Sequence, residues 1–300
     1  MKIIISKRSK KLHLRKNVTF WALLAPAIFL FSFIMIGPII NMFRVSLLDW
    51  NGIVKTPVFI GISNYVKLIH DERFYHALTN TAIHLVTTLP IVLPLSFLLG
   101  FFLSQRPIGY RWIRTIFFLP GMLSAPALAM MFMGMYLPDG VINYLLRLAG
   151  LDMLTYVWLA NKMTALGAII ILDIWGGIGW YSVLFYAAIS SVSKELLDAA
   201  QIDGANYWTV VWKIVFPICK DYFGIMTILL FLWILMGSAQ NVLLLTNGGP
   251  GDSSITLGFY LFMHAFQNHF LGYSQAIGVF IFIFGIIGTV IIKYFTKRRY

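Results

Sequence analysis

The sequence predicts an all-α polytopic membrane protein of six transmembrane helices. Three observations carry this. Of 300 residues, 59% are hydrophobic and 11% charged, more apolar surface than a water-soluble domain of this length can hide. Six apolar runs are each long enough to cross roughly 30 Å of hydrocarbon. The basic residues are distributed unevenly: with six spans both termini share one side, and seventeen of the twenty-three Lys and Arg fall there, as cytoplasmic flanks require.

The elements follow in order. Residues 1–17 hold seven Lys or Arg and no acid. This tail reads as a solvated segment facing lipid headgroups; without interleaved aromatics it does not point to nucleic acid. Residues 18–300 form one membrane domain. The first span is Phe20 to Phe43, too long for the apolar core of a cleavable signal, with Trp21 and Trp50 at interface depth. An outer loop follows, with turn signals at Asn51-Gly52 and Pro57 and a short helix near Asn64 to Leu68. The second span, Ala77 to Ser104, contains His84, which reads as a bundle-interior residue with a hydrogen-bond partner. Arg106, Arg111 and Arg114 mark an inner turn. The third span is Thr115 to Leu137, followed by an outer loop with an amphipathic helix, Val141 to Leu148.

The fourth span, Met163 to Ile189, contains the one acid deep in any span, Asp173, expected to bond to a neighbouring helix. It also carries the cluster Trp175-Gly176-Gly177-Ile178-Gly179-Trp180-Tyr181. An inner loop spans 191–217. The fifth span runs from about Tyr222 to Leu245, an outer loop covers 246–270, and the sixth span is Leu271 to Ile292. The single cysteine, Cys219, excludes an internal disulfide framework and a cysteine-based metal site. No Walker-type glycine-rich loop, nucleophile–base pair or metal-ligand cluster is present, so the chain is read as neither an enzyme nor an ATP binder.

The inner loop is the most informative stretch. Ser193 is placed to cap a short helix with Glu195 in its first turn. Ala199 and Ala200 favour helix and let another surface approach. Gly204 provides the left-handed residue that ends a helix. A second short helix then leads to Pro217 at the start of a span. The spacing Asp198-Ala199-Ala200, three residues, Gly204, nine residues, Ile214, one residue, Phe216-Pro217 resembles the cytoplasmic loop of ABC importer permeases. Two positions depart from that pattern: Asp198 stands for the usual glutamate, one methylene shorter, and Phe216 for leucine. Asp203-Gly204-Ala205 is also usual there. A second resemblance, to carbohydrate-type permeases of the maltose and glycerol-phosphate kind, lies in Leu244-Leu245-Thr246-Asn247-Gly248-Gly249-Pro250, followed by Thr256, Tyr260 and Ala265-Phe266. By span order the two cover roughly residues 20–295.

The resemblance implies a type I ABC importer permease fold in a prokaryotic cell membrane, both termini cytoplasmic. It implies that Glu195, Asp198, Ala199, Ala200, Asp203 and Gly204 form a coupling helix docking on an ATPase, and that Asn247, Gly248, Gly249 and Pro250 help to seat an extracytoplasmic solute-binding protein. The implied partners are a second homologous permease and two ATPase subunits, which would hold the ATP and magnesium; this chain would bind no cofactor. A sugar needs flat aromatic platforms and amide or hydroxyl partners with little formal charge. Trp175, Gly177 and Trp180, counted back from Asp198, and Ser238, Gln240 and Asn241, counted back from the Asn-Gly-Gly-Pro signature, fall where such permeases line their cavity. Bundle packing explains the same tryptophans and glycines without a substrate. An ion-coupled secondary transporter or channel is the competing reading; it calls for intramembrane ionisable groups and internal repeats. Here only His84 and Asp173 qualify, and no clear repeat is visible. A membrane anchor without transport would not gather polar and aromatic residues on two central spans.

Overall fold

The structure, a computed structural model, describes residues 20–53 and 56–297. The basic segment 1–17, Lys55 and the terminal Arg298-Arg299 lie outside the described residues. Among the described residues, five helices are long and apolar enough to cross a membrane: α1 (Phe20–Val45), α3 (Glu72–Ser104), α7 (Ala165–Ile189), α9 (Tyr207–Gly237) and α12 (Leu271–Thr296). Between α1 and α3 lie a two-residue antiparallel ribbon, Leu48–Asp49 with Val58–Phe59, and α2 (Ser63–Ile69), the short helix expected there.

The third span differs from expectation. It is not one helix from Thr115 to Leu137 but two, α4 (Tyr110–Met122) and α5 (Ala125–Met135), bent by 102°. Pro120 in the last turn of α4 and Pro126 at the start of α5 frame the break. Ser124 is extended and its hydroxyl caps α5 by accepting from the Ala127 amide at 3.4 Å. A proline in the first turn gives up an N–H that has no partner anyway, so the triplet Ser124-Ala125-Pro126 starts a new helix rather than continuing the old one. The outer amphipathic helix α6 (Val141–Leu148) has the bounds its sequence predicts.

The fifth span also begins earlier than Tyr222. α9 starts at Tyr207, where Asn206 Oδ1 accepts from the Thr209 amide at 2.8 Å, and runs to Gly237. Pro217 therefore lies inside a helix, not at its start. A wide π turn, Val210–Val215, directly precedes it and relieves the crowding that the proline ring imposes on the turn before it. Ser238, a single turn residue with right-handed helical dihedrals, then leads into α10 (Ala239–Leu245). Beyond the outer loop come α11 (Leu257–Phe262), with a π turn to Gln267, and α12.

Helices α3 and α7 pack along most of their length. The glycines explain how. A Cβ on Gly100 of α3 would stand 2.9 Å from Phe185 Cβ, and a Cβ on Gly179 of α7 would stand 2.4 Å from the Phe117 carbonyl oxygen of α4. Only a hydrogen fits at those points, so backbones close on one another there. Where α3, α7 and α9 meet, Phe97 is fully buried among Phe185, Phe216 and Phe223 at ring separations of 5.5, 5.7 and 6.3 Å.

Candidate functional site

A cavity of about 360 Å³ opens beside the break in the third span. Pro120, Gly121, Leu123 and Ala125 form one wall; Asp173, Gly177, Trp180 and Tyr181 of α7 form another; Trp233 of α9 and Asn241 of α10 complete it. Three of the six residues expected along a substrate pathway, Gly177, Trp180 and Asn241, stand on this cavity. The other three stand elsewhere. Trp175 packs its ring 5.5 Å from Phe132. Ser238 is buried and donates its hydroxyl to the Ile234 carbonyl, 2.7 Å, within its own helix. Gln240 is exposed on another face of α10.

The polar end of the cavity is a cross-helix cluster. Asn241 Nδ2 donates to Asp173 Oδ1 at 2.5 Å, which is the helix-to-helix bond expected of Asp173. His84 of α3, completely buried, brings Nε2 to 3.1 Å from Asp173 Oδ2. That is ion-contact distance, although the imidazole N–H is not aimed well enough for a hydrogen bond. Asn241 Oδ1 has no protein partner. A buried amide oxygen without a donor is costly, and here it belongs to a residue on a cavity wall. Gly177 keeps the lumen open by letting α7 sit close to α3: a Cβ there would meet Val92 at 3.3 Å.

At the end of the bundle that carries the loop 191–217, α8 (Lys194–Ile202) is the expected loop helix. Ser193 Oγ accepts from the Leu196 amide at 3.2 Å, and Gly204 adopts φ +76°. The Gly204 and Ala205 amides close the helix on the carbonyls of Gln201 and Ala200 at 3.0 and 2.9 Å. Glu195, Asp198, Ala199 and Asp203 are exposed, whereas Ala200 is buried against the bundle. Ile202 is 86% exposed, an apolar side chain with nothing over it. The inner turn at Arg106–Arg114 lies at the same end, since the Arg114 guanidinium sits 5.4 Å from the Tyr186 ring.

At the opposite end, Gly249 and Pro250 line a second cavity of about 340 Å³, together with Tyr136, Pro138 and Leu159. Asn247 and Gly248 both have left-handed backbones, φ 49° and 83°. The loop they open is pinned to α3: Arg73 makes a two-pronged bond to Asp252 at 2.9 and 2.7 Å, and Asn80 Nδ2 donates to the Ile255 carbonyl at 2.9 Å. Nearby, Asp71 Oδ2 accepts from the hydroxyls of both Tyr260 and Tyr273, and His264 stacks edge-on against both rings.

A family profile described as "Binding-protein-dependent transport system inner membrane component" matches residues 92–299. The chain belongs to this family. The permease is 33% identical over 267 residues to the probable ABC transporter permease protein YurN of Bacillus subtilis, covering 87% of this chain and 89% of that one. It is 31% identical to the diacetylchitobiose uptake system permease protein NgcF of Streptomyces coelicolor, covering 91% and 80%, and 31% identical to the lactose transport system permease protein LacF of Rhizobium radiobacter, covering 84% of each. Its fold is similar to a chain of a bacterial alginate ABC transporter solved with an alginate pentasaccharide-bound periplasmic protein, with TM-score 0.81, 22% identity and coverage of 95% and 96%. The permease is thus a membrane-spanning subunit of an ABC importer, with ATP hydrolysis on a separate subunit.

The cavity residues that sequence reasoning missed are those of the broken third span, with Tyr181 and Trp233. The signal for the break was present: Pro120, then Ser124-Ala125-Pro126, is a helix end followed by a capped helix start.

Proposed function

We propose that this permease carries a sugar or oligosaccharide into the cytoplasm, through a pathway to which α4, α7 and α10 contribute one wall. The observation that carries the reading is the cavity itself: an indole, Trp180, and an amide, Asn241, on one lumen, where an apolar sugar face and its hydroxyls each find a partner. The printed names of the relatives, for diacetylchitobiose and lactose, agree with it. The exposed face of α8, with Asp198, Ala199 and Ile202, is the surface offered to an ATPase subunit that holds ATP and magnesium. Gly249 and Pro250 belong to the outer surface offered to a solute-binding protein. A second homologous permease closes the pathway, and both termini lie in the cytoplasm.

The reading predicts a separation of steps, measured on the purified complex in liposomes. Trp180→Ala and Asn241→Ala should impair uptake, each lost sugar hydrogen bond costing about 0.5–1.5 kcal/mol. Substrate binding by the external binding protein should be unchanged, and ATP hydrolysis stimulated by the loaded binding protein should largely survive, because α8 is intact. Parental uptake in both variants would make these residues packing and sink the site.

A further inference from the structure

Which saccharides pass is written in the charge of the wall. Among the described residues lining the cavity there is one carboxylate, Asp173, and no Lys or Arg. The carboxylate is held in place, with Oδ1 bonded to Asn241 and Oδ2 3.1 Å from His84 Nε2. The neighbouring amide oxygen, Asn241 Oδ1, is an acceptor without a donor. Both side chains are more than nine-tenths buried. The one formal charge that this wall presents is therefore a carboxylate, with no lysine or arginine to balance it.

We infer that the permease admits neutral or amine-bearing saccharides and excludes uronates and sulfated sugars. An ammonium group in this lumen meets the field of a carboxylate rather than that of a cation, and a neutral sugar carries no charge for that field to repel. A sugar carboxylate entering the same space gives up water, finds no cation on this wall, and faces a like charge in a medium where charges act with several-fold greater effect than in water. The term saccharide rests on the sugar-importer reading above; the charge preference does not. The alginate transporter shares the fold at 22% identity, and likeness of fold does not carry an acidic substrate across.

The charge can be measured without any sugar. Leu123 lines the cavity and is partly exposed, and the native thiol, Cys219, is buried. In a Cys219→Ser background, Leu123→Cys in the full complex would be labelled with trimethylammonium-ethyl and with sulfonato-ethyl methanethiosulfonate, each rate divided by that for a free thiol in solution. The expected cationic-to-anionic ratio is about tenfold or more, falling to within about threefold of unity when Asp173→Asn is added. A ratio near or below one in the Asp173 protein overturns the proposal by itself, even if the Asn variant fails to fold; a high ratio that Asp173→Asn leaves unchanged also overturns it. In liposomes, a uronate-containing disaccharide taken up as fast as its neutral counterpart would overturn the selectivity while leaving the sugar reading intact. Uptake of no saccharide of either charge would sink the sugar reading instead, with the labelling ratio still reporting the wall.

Discussion

Gly204 shows how much one residue can decide. Its φ of +76° is a conformation in which a β-branched side chain collides with its own backbone, and the space around it is empty. The cost of a substitution is therefore conformational, not packing. Gly204→Val should cost more than ~1 kcal/mol locally and misdirect α8, so we expect uptake and co-purification with the ATPase to fall while membrane insertion persists. Normal ATPase association and uptake in that variant would remove α8 from the coupling role. This position was legible in the sequence, because a glycine after a capped, alanine-rich turn has few other uses. The partner of Asp173 was not: spacing along a chain does not say which residue of another helix stands opposite, and Asn241 and His84 lie on two different helices. Nor does it separate the wall from the packing, since Trp175 and Trp180 are five positions apart on one helix and turn to different neighbours.

At the scale of elements, glycines set how closely helices approach. Gly179 is the sharpest case, its missing Cβ lying 2.4 Å from the Phe117 carbonyl oxygen. A backbone oxygen cannot swing aside as a side chain can. Gly179→Ala should push α4 from α7 and cost about 1–3 kcal/mol, seen as a lower midpoint of thermal unfolding in detergent, whereas Gly134→Ala, with nothing within 4 Å of its Cβ, should leave the midpoint unmoved or raise it. Equal midpoints for the two variants would refute the close approach. Hydropathy located every span but not every helix. The apolar content of 115–137 is the same whether the run is straight or broken, and only the local chemistry of Ser124 and Pro126 tells the two apart. Conversely, Pro217 reads as a helix start because a proline most often is one; a π turn just before it lets α9 run on.

The molecule as a whole is fastened, at the end that carries the loop 246–270, by a small polar cluster joining three elements. Asp71 caps α3 and accepts from Tyr260 and Tyr273. Burial pushes its carboxyl up, but the two hydroxyls and the Arg73 and Phe74 amides more than offset this, holding it below its usual value. His264 is held down at about 4, chiefly by burial, with Arg73 and Lys67 adding to the effect and Asp71 opposing it. Because the folded value lies below the ordinary 6.5, the unfolded chain takes up the proton first as pH falls. His264 thus contributes stability that is complete above pH 6.5 and lost progressively between 6.5 and about 4, on the order of 1–3 kcal/mol. The unfolding midpoint of the purified permease should drop across that window, and His264→Gln should flatten the drop; a pH-independent midpoint in the parent would contradict it. The broken third span has a consequence of another kind. One arm, α4, rests on α7, and the other, α5, rests mainly on α10. A straight rod would hold both of its ends to one line, like a single oar. With a 102° elbow between them, each arm takes its place from its own neighbour, as two hands of a clock share a pivot but not a bearing.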